Sequence, residues 1–125
     1  VNDDQLVTLL VPASSEHVRL ARVLAATAAD DAGFDYEEVE DLRIAVDELC
    51  FALLDAGVPE DRIELELRSR DGSLELRGAC PYQVVPAGPP HLEELTEQIL
   101  TVVVDEHEVG LDGGVGRFTL RKRRA

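Results

Sequence analysis

The chain has no tryptophan and no methionine, and its five aromatics are three Phe and two Tyr. Its core must therefore come from Leu, Val, Ile and Ala. Bases are scarce, with 12 Lys and Arg against 26 Asp and Glu and a net charge of −14. Self-repulsion at that charge argues against direct contact with nucleic acid or an anionic membrane. It suits a partner with a basic surface, such as a DNA-binding protein, and equally a domain that acidity merely keeps soluble. Cys50 and Cys80 are too few for a disulfide framework or a zinc site, and Cys50 reads as an inert thiol inside a helix. His17, His91 and His107 lie far apart without ligand spacing, so no metal site is expected. No apolar run approaches the ~20 residues that span a bilayer, and no basic-then-apolar signal opens the chain. The expected location is the cytoplasm. At 125 residues the expectation is one domain, 1–125.

What is present centres on Asp41–Leu54, DLRIAVDELCFALL. Leu42, Val46, Leu49 and Leu53, with Val39 before them, form one apolar stripe at helical spacing. Asp35 with Glu38 makes a capping box at the start, and Gly57 followed by Pro59 ends the helix at a C′ position. Acids gather on the same element: Glu37, Glu40, Asp41, Asp47 and Glu48. They could mimic a phosphate backbone toward a basic partner, or be plain solvated surface.

Around that helix the other elements follow in order. Gln5–Val11 is a β-rich run closed by Pro12. Ser14 or Ser15 caps a helix running to about Ala32, with Val18, Ala21, Leu24, Ala25 and Ala28 inward. Arg19 and Arg22 are neighbours on its surface. Gly33 closes it so tightly against Asp35 that the two helices should pack antiparallel. Ile63, Leu65 and Leu67, then Leu74 and Leu76, alternate with charged residues around Asp71-Gly72, which predicts a hairpin. Gly78–Pro90 holds four of the six prolines and reads as a stiff loop. A third helix is expected over His91–Val104, with Leu92, Leu95, Ile99, Val102 and Val103 inward. His107–Leu111 and Val115–Lys122 form a second hairpin. Its Gly113-Gly114-Val115-Gly116 lacks a phosphate loop's Lys-Ser/Thr ending and precedes a strand, so it is a turn. Arg121-Lys122-Arg123-Arg124 is a basic tail, either a nucleic-acid contact or edge-strand charge that deters aggregation. The sum is an α+β two-layer sandwich, a mostly antiparallel five-stranded sheet with three helices on one face.

That element order, with AVDELC in the long helix, resembles the GHKL ATPase fold, and more narrowly the RsbW-type anti-sigma factors. The DLRIAVDE segment and Ala79-Cys80 are similar to stretches of actinobacterial anti-sigma-F proteins. In nucleotide-binding members of the family a Glu activates water or an acceptor serine, and an Asn four residues later helps to hold Mg²⁺. Glu48 matches the first, while Ala52 stands at the Asn and has no oxygen for a hard cation. Where the family reads adenine with an Asp, this chain has Gly78-Ala79-Cys80-Pro81. At the Gly-rich turn that meets the phosphates it has Gly88-Pro89-Pro90-His91, where two prolines remove two N–H donors. The resemblance therefore implies an anti-sigma factor without kinase activity, with Glu48 a vestigial base and with ATP and Mg²⁺ binding lost. Its partners would be a stress-type sigma factor and an anti-anti-sigma antagonist, with no nucleic acid, no membrane and a possible homodimer edged by the first strand. The resemblance makes Arg22, with Arg19 beside it, the partner contact. The alternatives are an active serine kinase and a scaffold that keeps only the fold. From the residues alone, Glu48 is an exposed helical acid and Arg22 a solvated arginine.

Overall fold

The helix expected from Asp35 is the element on which the others pack. A computed structural model gives the structure of the chain and describes residues 4–125, so the first three residues of the expected domain range lie outside the described residues. Strand β1 (Leu6–Pro12) leads through a 3₁₀ turn at Ser15–His17 into α1 (Val18–Asp31), followed by α2 (Tyr36–Ala56). Then come β2 (Val58–Pro59), β3 (Arg62–Arg70), β4 (Ser73–Val84), α3 (Glu94–Val103), β5 (Glu106–Asp112) and β6 (Val115–Arg123). The sheet order is β1-β3-β4-β6-β5, with β2 on β4, and every pairing is antiparallel. There are six strands rather than five, because Val58 and Pro59, just past Gly57, pair with the end of β4.

The local chemistry explains each boundary. The Asp35 carboxylate accepts from Glu38 N–H at 2.8 Å and the Glu38 carboxylate from Asp35 N–H at 2.9 Å, a complete capping box worth about 1 kcal/mol. Before α1 the Ser14 hydroxyl meets His17 Nδ1 at 2.6 Å and caps no backbone group. At the far end Gly33 is left-handed (φ 85°), Phe34 N–H reaches Ala29 O and Gly33 N–H reaches Asp30 O. This Schellman closure drops Phe34 into the core. Gly57 does not play the same part for α2. Its φ is −152° and its backbone extended; a Cβ there would stand 2.8 Å from the Val84 carbonyl oxygen. Gly57 serves close approach, not handedness.

Both hairpins turn on two residues of positive φ, Asp71-Gly72 (50° and 77°) and Gly113-Gly114 (57° and 80°). That geometry matches the twist of the flanking strands. The strand after the first turn runs much further than expected. Gly78–Val84 is not loop but the second half of β4, pairing with Val115–Phe118 of β6 and with β2. The ladder passes through Pro81 because the proline's carbonyl accepts from Glu60 N–H while Tyr82 N–H donates to Gly114 O. Gly78 lies beneath the Phe118 ring, where a Cβ would collide with it.

One face of the sheet and all three helices share the core. Leu42, Val46, Leu49 and Leu53 of α2 are fully buried against Ile63, Leu65, Leu74, Leu76 and Phe118 of the strands. On the other face, uncovered by helices among the described residues, Glu64, Glu66, Arg68, Glu75, Arg77, Glu106, Glu108, Arg117 and Arg121 alternate in cross-strand rows. Of the five residues expected to face inward near α3, Val103 is buried and Leu92 and Ile99 pack against the core, but Leu95 is 67% and Val102 82% exposed. Leu100, outside that set, is fully buried. The helix also starts later, at Glu94. The basic tail is bound up in the fold, and β6 is an inner strand, which excludes an edge-guarding role. Arg121 pairs with Glu106 at 2.8 Å and Arg124 Nη1 donates to Ala32 O at 2.8 Å.

Lys122 is the only buried cation among the described residues. Its ammonium donates to Val103 O at 2.7 Å, one of the unpaired carbonyls ending α3, and stands 3.5 Å from Asp41 Oδ2 of α2. Tyr82 does the same for α2, its hydroxyl donating to Leu53 O at 2.6 Å. Tyr82→Phe and Lys122→Met each strand a carbonyl, and Lys122→Met also strands Asp41. Each should lower stability by about 1–3 kcal/mol. In urea unfolding the midpoint should fall with an unchanged slope.

Candidate functional site

Two flanks of α2 carry chemistry. On the α3 flank the helix presents Glu48, Ala52 and Asp55 into a cleft of about 250 Å³ that His91, Glu93 and Thr96 close from the other side. Glu48 is half-buried rather than freely exposed, and its Oε2 accepts from the Thr96 hydroxyl at 3.2 Å. The acidic lining groups are Glu48, Asp55 and Glu93, and no Lys or Arg lines the cleft. Such a lining repels a polyphosphate unless a cation intervenes. Among the described residues, no three His, Cys, Asp or Glu side chains are grouped to hold a metal. A larger cleft of about 570 Å³ opens between the end of α3 and β5. It contains none of the motif residues, and its His107 is held by Glu97 of α3 at 3.1 Å.

On the α1 flank, Arg22 reaches across to Asp47. Nη1 donates to Oδ2 at 3.3 Å and Nε stands 3.2 Å from Oδ1. The two side chains are 37% and 30% exposed, so the arginine is tethered and not freely solvated. No hydrogen bond reaches Asp47 Oδ1. Burial raises the Asp47 pKa above the ordinary carboxylate value despite the arginine beside it, with Glu48 pushing the same way. Arg19, three residues earlier, is exposed and stays outside the pair. Ile44 and Phe51, three before and four after Asp47, adjoin it on the helix surface and are 43% and 36% exposed. The acids of α2 thus do not form one face: Asp41 serves Lys122, Glu48 serves Thr96, Asp47 serves Arg22 and Glu40 pairs with Arg43.

Below these flanks the thiols are inert. Burial pushes Cys50 up to about 12 and Cys80 to about 11, so neither forms thiolate at neutral pH. Among the described residues no helix is long and apolar enough to cross a membrane.

Residues 11–116 match the family described as histidine kinase-like ATPase domain. The anti-sigma-F factor RsbW of Mycobacterium tuberculosis is 30% identical, over 95% of this chain and 74% of that protein. The chain belongs to the histidine kinase-like ATPase family, among the RsbW-type domains. The serine-protein kinase RsbW of Bacillus licheniformis is 27% identical over 83% of this chain and 77% of its own. Among solved structures, the RsbU and RsbW domains of Rv1364c from Mycobacterium tuberculosis share this fold. The TM-score is 0.74 at 15% identity over 96% of this chain, which spans 32% of that longer one.

Within this RsbW-type domain the three motif positions do not form one loop-lined pocket. Glu48 and Ala52 line the α2–α3 cleft, and His91 stands at its mouth. Gly78–Pro81 is committed to a paired strand, with Cys80 fully buried. Asp47 was legible only as one acid among several. The signal that would have found it is distance from the bend: Arg22 and Asp47 lie 12 and 13 residues either side of Phe34, which antiparallel helices bring side by side.

Asp47 binds its proton more tightly when folded than when unfolded. Its contribution to stability is therefore present at low pH and lost as pH rises through its folded pKa. Asp47→Asn removes that loss, so its melting temperature relative to wild type should rise from pH 3 to pH 7. Glu37→Gln, an exposed control on the same helix, should show a smaller trend.

Proposed function

We propose that this domain is an anti-sigma factor that works by sequestration and carries out no nucleotide chemistry of its own. The observation that carries the reading is the α2–α3 cleft, which keeps Glu48 but has Ala52 in place of the Mg²⁺-holding Asn that the resemblance implies. Its wholly acidic charged lining, and Pro89-Pro90 where phosphate-facing N–H groups would be needed, support it further. The anti-sigma-F name of the 30% identical relative supports a sigma factor of that class as partner. Release by a competing anti-anti-sigma protein would then depend on that protein's availability, since this chain would not phosphorylate it.

Arg22 is the proposed contact. It stands at the groove between α1 and α2, bound to Asp47 with its side chain 37% exposed, and arginine is among the residues that most often anchor interfaces. A homodimer would form at β1, a sheet edge where Leu6 and Leu10 are 50% and 57% exposed. The serine-kinase reading has Glu48 and the name of the Bacillus relative in its favour.

Two titrations separate these readings. Mg-ATP at submillimolar concentration should give no binding heat, and a one-site isotherm would favour the kinase. The sigma-F-class factor of the source organism should bind the wild type. Arg22→Ala should weaken that binding by about 2 kcal/mol, roughly thirty-fold in Kd, and an unchanged affinity would remove Arg22 as the contact.

A further inference from the structure

Resting on that assignment of Arg22, we infer that Asp47 is a positioning residue. Across the α1–α2 groove it holds the Arg22 guanidinium in place, where a partner carboxylate or backbone carbonyl meets it.

The geometry carries three parts of this. Asp47 engages Nε and Nη1, which leaves both N–H groups of Nη2 for an acceptor on the partner. The pair is not what joins the helices. Val18, Ala21, Ala25 and Ala28 of α1 are buried to within 2% exposure, and that apolar contact is ample to dock two antiparallel helices. The pair itself is loose, at 3.2 and 3.3 Å, with one carboxylate oxygen lacking any hydrogen bond. A partly buried carboxylate satisfied so poorly opposes folding, and the same partial burial raises the Asp47 pKa. A group kept against stability beside a candidate contact is better explained by what it presents than by what it holds together.

The third part concerns the surroundings. The Arg22 side chain is 37% exposed, and Ile44, one turn before Asp47 on α2, is 43% exposed. An arginine left free at this surface would keep its rotamers and its hydration until binding, and both would oppose association. Ordering it in advance removes part of that opposition. Neutralising it lets the apolar neighbours be covered without burying an isolated charge. Arg43 and Glu48 also act on the Asp47 carboxylate and belong to the same electrostatic group; Glu48 is engaged by Thr96.

The test has an arm that needs no partner. In the free full chain, the Arg22 Nη1 hydrogens, which Asp47 holds, should be protected from solvent exchange in wild type and exchange as fast as those of Arg19 in Asp47→Ala. Equal protection in both would overturn the inference. The second arm measures the affinity for the sigma-F-class factor of the source organism with Asp47→Ala, Arg22→Ala and the double variant. Asp47→Ala should weaken binding about five-fold in the wild-type background and change it less than about two-fold in the Arg22→Ala background. Asp47→Glu, which restores the charge, should recover part of the loss. An equal loss in both backgrounds would mean that Asp47 acts through the fold, and a gain in affinity would mean that it competes with the partner; either overturns the positioning role. If Arg22→Ala alone changes nothing, it is the contact assignment that fails, while the exchange arm still decides whether Asp47 orders Arg22.

Discussion

The constraint on which the rest depends is the burial of α2 on three sides. A helix with a stripe as wide as Leu42, Ala45, Val46, Leu49, Cys50 and Leu53 must lie on a sheet and still be flanked by other helices. The sheet takes the centre of the stripe, α1 one margin and α3 the other. Each margin is where apolar surface gives way to charge, so each acquires a polar clasp: Arg22–Asp47 toward α1, Thr96–Glu48 and Lys122–Asp41 toward α3. The two candidate sites lie on opposite flanks of this one helix.

The clasps differ in quality, and the difference sorts structure from function. Lys122 and Tyr82 make short hydrogen bonds to carbonyls that helix ends leave unpaired, an arrangement that any fold of this kind benefits from. Arg22–Asp47 is longer, partly exposed and incompletely bonded. Interactions optimised for stability are made to be complete, whereas those awaiting a partner keep donors in reserve. In the cleft on the other flank, Glu48 is already occupied by Thr96 and its charged neighbours are acids.

How far the residues foretold this depended on whether a signal was local. The capping box at Asp35, the alternation around Asp71-Gly72 and the paired glycines at Gly113-Gly114 are complete within a few residues, and all appear as expected. The second half of β4 was hidden by prolines, whose local reading is loop; only β2 and β6, far away in the chain, supply the ladder that carries Pro81. In α3, Leu95, Ile99 and Val102 make as good a stripe as Ile99, Leu100 and Val103, and only packing against β5 and α2 selects between them. Arg22–Asp47 required the register of two helices, which no single window contains.

The uncovered face of the sheet has a consequence for encounter. Its rows set acids against arginines in nearly equal number, so it is nearly neutral, and almost all of the net −14 charge falls to the helical layer, the loops and the ends of the chain. The molecule therefore carries a directional field. A basic partner diffusing toward it is turned toward the helices before any contact forms, faster at low ionic strength than at high.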